Sequence, residues 1–170
     1  MERFDVRRGL IKEIESNGGI SELAKEFFDK VDKTSDTSFE ASHGVMTSIV
    51  ASIESGALIV DVTNIPPDFD NQESVKSAME DRKRWTSFLD KATGYNSKQR
   101  GDKAKEWAKK ASKAKSAISA AKHFMEMSEN ISPEKREQAE SLIAEIGTLL
   151  ESNENTKAAG RGEKLNKLFN

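Results

Sequence analysis

Thr37-Ser38-Phe39-Glu40-Ala41-Ser42-His43-Gly44-Val45-Met46-Thr47-Ser48-Ile49-Val50-Ala51-Ser52-Ile53-Glu54-Ser55-Gly56-Ala57-Leu58-Ile59-Val60-Asp61-Val62 is the stretch on which the fold class turns. Thr37 with Glu40 fits a capping box, in which the hydroxyl takes a backbone N–H and the carboxylate reaches back. Met46, Ile49, Val50 and Ile53 follow at steps of three and four, which predicts a helix from Thr37 to about Ser55. Ala57 to Val62 is β-branched and short enough for one strand. One strand has no evident partner, so the segment reads as the end of that helix and a buried loop.

Upstream, Leu10, Ile11 and Ile14 predict a helix over residues 3–16, closed by Asn17-Gly18-Gly19. Ser21 is placed to cap a second helix carrying Leu23, Ala24, Phe27, Phe28 and Val31. Residues 10–28 are superficially similar to the opening helices of helix-turn-helix proteins, but Asp29-Lys30-Val31-Asp32 lacks the glycine turn and the next segment lacks basic residues. Downstream, Pro66-Pro67 imposes an extended stop and marks a boundary. Asp70 with Glu73 predicts a new helix to about Ala92, with Val75, Ala78, Met79, Trp85, Phe88 and Leu89 inward. The longest helix is read over Asp102 to Glu129, where Ala104, Trp107, Ala111, Ala114, Ile118, Ala121 and Met125 form a heptad seam of coiled-coil type. Ser132-Pro133-Glu134 opens another.

The expectation is therefore an all-α bundle of five or six helices, with the long Ala-rich helix antiparallel to its neighbours. Residues 1–65 form an acidic helical subdomain, residues 66–151 a helical region with a basic block, and residues 152–170 a flexible tail. In that tail Leu165, Leu168 and Phe169 read as a protein-docking segment.

The 170 residues carry 27 basic and 29 acidic side chains and no cysteine. The absence of cysteine excludes disulfides, thiol nucleophiles and cysteine-bound metals, and fits a reducing compartment. The longest apolar run, Ala57 to Val60, is far short of a membrane span, and the basic-acidic start has no apolar leader, so the localisation expected is cytoplasmic. Charge is distributed unevenly: the net is −9 over residues 1–81, +10 over 82–122 and −3 over 123–170. Such a block calls for an external anion or for docking on an acidic part of the chain.

Arg82, Lys83, Arg84, Lys98, Arg100, Lys105, Lys109 and Lys113 are the anion or nucleic-acid contacts this block offers. Lys105, Lys109 and Lys113 share one helix face, opposite the alanine seam. His43 and His123 each stand apart from any metal-ligand or base spacing and read as structural. No catalytic residue, metal site, cofactor or small-molecule substrate is indicated. The reading is a non-enzymatic helical scaffold or adaptor that binds protein partners or another copy of itself. The alternative is a nucleic-acid-binding regulator using residues 82–122.

Overall fold

Residues 37–62 alternate sides instead of spiralling. Phe39, Ala41, Ile49, Ala51 and Ile53 face the core while Glu40, Ser48, Val50 and Ser52 face away, the period-two pattern of a half-buried sheet. In the computed structural model, which describes residues 1–170, the all-α expectation is replaced by an α+β fold with a five-stranded antiparallel sheet. The elements are β1 (Glu2–Asp5), α1 (Leu10–Ser16), α2 (Ile20–Lys25), β2 (Lys30–Ser35), β3 (Ser38–His43), β4 (Met46–Glu54), β5 (Ala57–Asn64), α3 (Gln72–Thr93), α4 (Ser97–Met127), α5 (Pro133–Glu151) and α6 (Asn155–Phe169).

The helix expected over Thr37 to Ser55 is thus β3 and β4, and the strand lacking a partner is β5, which has two. The sheet order is β1-β5-β4-β3-β2. Three successive hairpins close with two-residue connections, where Ser35 pairs with Ser38, His43 with Met46 and Glu54 with Ala57. Ser55 and Gly56 both adopt positive φ, 49° and 81°, which matches the right-handed twist of the flanking strands and fixes their register. Thr37 and Glu40 never form a capping box: Thr37 lies in a turn and Glu40 pairs across the sheet with Asp32 and Val50. The helical spacing of Met46, Ile49, Val50 and Ile53 is misleading because Val50 is 45% exposed.

The predicted helix over residues 3–16 is split into β1 and α1, and the second into α2 and β2. Phe88 of α3, Phe39 of β3, Ile49 of β4, Leu58 of β5 and Ile20 of α2 are almost wholly buried in one core between the helices and the sheet. Phe88 is its hub, with ring centroids 5.0–5.9 Å from Phe27, Phe28, Phe39 and Trp85. Edge and tilted packing of this kind adds to simple burial.

The chain divides into two compact units, Met1–Ala104 and Lys105–Asn170. In the second, Ala114, Ala121 and Met125 of α4 pack with Ala139 and Ile146 of α5 and with Ala158 and Leu165 of α6. The alanine seam predicted on α4 supplies buried positions at 114, 121 and 125. Ser132 caps α5 by accepting from the Lys135 amide at 3.3 Å, with Pro133 at the first helical position. Residues 152–170, read as a flexible tail, contain α6. Its Asn155 side chain donates to the Trp107 carbonyl at 3.2 Å.

The strand assignment has a direct test in thermal or urea unfolding. Ile49→Ala is expected to cost ~2–5 kcal/mol, and Val50→Ala less than about 0.5 kcal/mol; a helix would penalise both. Leu165→Ala should destabilise the second unit by a similar ~2–5 kcal/mol, whereas Asn166→Ala, on the exposed side of α6, should leave its unfolding unchanged.

Candidate functional site

Two features of the first unit adjoin α3, and both grow from the short hairpins. The β3–β4 turn puts His43 at the end of β3, where its side chain is 13% exposed and faces a carboxylate on each ring nitrogen. Nδ1 lies 2.8 Å from Asp29 Oδ2, on the connection between α2 and β2, and Nε2 lies 3.4 Å from Asp81 Oδ1 on α3. The Asp29 approach is off the direction of a hydrogen bond, so Nδ1 is buried beside a carboxylate without one. Asp29 itself is 74% exposed, so water screens this pair and its contribution is ~0–1 kcal/mol.

Asp81 is buried. Its Oδ2 accepts the Val45 amide at 2.9 Å, which ties the turn to the middle of α3. Gly44 sits under this carboxylate with φ +52°, and a methyl group there would overlap Asp81 Oδ2. The Phe28 ring packs beside His43 with centroids 6.5 Å apart. Sequence reading took His43 as a structural histidine, and the two carboxylates that grip it stand 14 residues before and 38 residues after it. No spacing rule joins them.

Beside this clamp, the start of β1, β4, β5 and α3 enclose a cleft of about 620 Å³, with Val45, Met46, Val60 and Trp85 among its apolar lining and Glu2, Asp61 and Arg82 among its charged lining. The connection from β5 to α3 continues past Ile65 and Pro66-Pro67 into Asp68-Phe69-Asp70. Phe69 is 79% exposed, and Ile65 and Met79 are 58% and 59% exposed. The loop that holds Phe69 out is internally bonded. The Asp68 amide donates to Ser74 Oγ at 2.9 Å, the Asp70 amide to Asp68 Oδ1 at 3.0 Å and the Asn71 amide to the Asp68 carbonyl at 3.2 Å. Asn71, one residue beyond the expected Asp70, caps α3 through the amides of Glu73 and Ser74. A second groove, of about 610 Å³ between α1, α2 and Lys91, has a rim whose charges pair among themselves, Lys25 with Glu22 and Lys91 with Glu26.

The predicted basic contacts do not form one surface. Arg82, Lys83 and Arg84 are successive residues of α3 and point in different directions. Arg82 lines the cleft, Lys83 is exposed, and Arg84 Nη1 donates to the Phe27 carbonyl at 3.4 Å. Arg100 is buried: it pairs with Asp90, donates to the Tyr95 carbonyl at 2.5 Å and to Ser97 Oγ at 3.0 Å, and stacks over Phe4. That arginine is a brace for the corner between α3 and α4. Lys98 is exposed on the first turn of α4.

Lys105, Lys109 and Lys113 belong to the second unit and are exposed on α4. Lys113 donates to Glu163 Oε1 at 2.6 Å, which holds that carboxyl below its ordinary range. The pair is thus present above the usual carboxylate range and is lost as pH falls through the lowered value. Of the predicted docking residues, Leu165 is wholly buried, and Leu168 and Phe169 pack against the same core, Phe169 with its ring 4.8 Å from Phe124.

The turn and α3 are coupled through Asp81, so its removal is measurable as stability. Asp81→Ala strands the Val45 amide and is expected to cost ~1–3 kcal/mol. Gly44→Ala should be at least as damaging, since it combines a left-handed backbone with displacement of that carboxylate. Chemical unfolding of both against Gly101→Ala, at a site with open space around it, checks the order.

A comparison with family models matches residues 1–106, essentially the first unit and the opening of α4. No curated protein and no solved structure matches the chain, and no helix is long and apolar enough to cross a membrane. The match spans more than half of the 170 residues, and the chain belongs to the family described as Domain of unknown function (DUF5611).

Proposed function

We propose that this chain is a non-enzymatic, cytoplasmic interaction protein that docks a second copy of itself through the cleft between β4, β5 and α3. The observation that carries the reading is the pairing of a knob with a hole on one surface. The loop Asp68-Phe69-Asp70 presents an exposed aromatic ring between two carboxylates. The cleft beside it offers apolar walls from Val45, Met46, Val60 and Trp85, and its charged lining is Arg82, Glu2 and Asp61, the last paired with the Met1 ammonium.

Arg82, Asp68 and Asp70 make no ion pair, and Asp68 Oδ1 accepts the Asp70 amide of its own loop. A two-fold arrangement sets each loop against the other copy's cleft, the self-complementary form an isologous interface takes. The internal hydrogen bonds of the loop hold Phe69 in place before docking, which lowers the ordering cost of association.

A nucleic-acid role for residues 82–122 has less support. Arg100 is buried, Arg84 and Lys113 are engaged within their own units, and the open face of the sheet carries a row of Asp32, Glu40 and Asp61 around Val50. Acidic rows repel phosphate.

Light scattering of the full chain over a range of concentrations is the test. A dimer is expected, and Phe69→Ser should weaken it by roughly thirtyfold, the scale of a buried aromatic anchor worth ~2 kcal/mol. Arg82→Glu should weaken it too, with recovery when Asp68 and Asp70 are both changed to lysine. A monomer at every concentration, or a dimer indifferent to Phe69 and Arg82, rejects the reading. Binding of duplex DNA or RNA at low salt, lost steeply as salt rises, would favour the nucleic-acid role instead.

A further inference from the structure

We infer that His43 is a pH-sensitive latch that holds α3 against the sheet and so keeps the docking cleft in shape; its consequence for docking rests on the self-association proposed above. The latch joins the walls of that cleft. Asp81, which faces His43 Nε2, lies on α3 between the cleft-lining residues Ala78 and Arg82. The amide that Asp81 accepts belongs to Val45, another wall residue. Loosening Asp81 therefore moves two walls at once.

Protonation enters through the ring geometry. Both nitrogens of His43 face carboxylate oxygens, Asp29 at 2.8 Å and Asp81 at 3.4 Å. Only the imidazolium carries a proton on each nitrogen. The neutral ring lacks one of these protons and the positive charge, and the attraction to the two carboxylates is lost with them. Histidine is the side chain whose charge ordinarily changes between about pH 5 and 8.

The ion pairs made by these carboxylates are with His43, and Lys30 follows Asp29 and pairs across the sheet with Ser42. Asp29 comes from the α2–β2 connection and Asp81 from α3, and His43 is the ion-pair partner of each. On β4, His43 pairs with Met46, and from the α2 side the neighbour is the Phe28 ring. Arg84 of α3 donates to the Phe27 carbonyl, and Arg82 lines the cleft. Stabilisation by the imidazolium is therefore lost when the ring gives up its proton.

Hydrogen exchange of the Val45 amide in the isotope-labelled full chain, corrected for intrinsic exchange, reads the latch without reference to docking. Between about pH 5.5 and 8 its opening should increase several-fold in the native protein, bounded by tenfold per pH unit for one proton, and should stay flat in His43→Gln. A His123→Gln background separates the second histidine. Self-association should weaken several-fold over the same interval in the native protein and not in His43→Gln.

If His43→Gln fails to fold, Asp29→Asn, which changes an exposed side chain, serves in its place, with the pH response of Val45 expected to shrink at least threefold. A Val45 opening that is flat with pH in the native protein, or that responds equally in the variant, overturns the latch. Docking that ignores pH while Val45 opens overturns the link to the cleft. A chain that stays monomeric throughout overturns the docking proposal, and Val45 alone then decides the latch.

Discussion

The packing of Phe88 against Phe27, Phe28, Phe39 and Trp85 is the contact from which the first unit follows. It brings α3 onto a sheet whose strands are too short to be stable alone, and removes large apolar area from water on both sides. With Phe88 anchored, α3 has one direction to run. Its earlier turns carry Asp81 to the β3–β4 hairpin, and its last turns carry Asp90 to Arg100. The middle and the last turn of the helix are thus each fastened by a carboxylate that the hydrophobic contact has placed.

The same anchoring decides which charges are available. A run of +10 over residues 82–122 has the appearance of one basic surface. Helix geometry and burial divide it: Arg82 enters a cleft, Arg84 bonds a carbonyl, Arg100 is consumed by the α3–α4 corner, and the lysines of α4 belong to the second unit. Charge density along a chain becomes charge density on a surface only where side chains share a face. Arg82 adjoins apolar walls, and Asp68 and Asp70 flank an exposed ring. The proposed docking of a second copy draws on that difference in charge.

The second unit solves a different problem. Alanines at 114, 121, 139 and 158 let backbones approach closely, and Met125, Ile146 and Leu165 fill the space that remains. α6 therefore serves as the third wall of a small core. Its sequence, with two glycines and many polar residues, hides this because Leu165 is the one large apolar side chain among its buried residues, the others being Asn155, Ala158, Ala159 and Gly162.

Local chemistry in the sequence was enough to locate α3, α4 and α5, because each runs for many turns, has a strong inward stripe and, for α5, a Ser-Pro start that no tertiary contact needs to supply. The block of charge was legible for the same reason, whereas the two compact units divide at Ala104 and not at Pro66-Pro67. What local chemistry could not decide was the conformation of residues 37–62, where Ile49 and Ile53 satisfy a helical spacing and Phe39, Ala41, Ile49 and Ala51 satisfy a strand spacing equally well. A strand is stabilised by its neighbours, so the choice awaited pairings between β5 and β1, more than 50 residues apart in the chain. The clamp on His43 is of the same kind. Asp29, His43 and Asp81 become neighbours only after the sheet and α3 have packed, since ion pairs depend on distance in space while a sequence records distance along the chain.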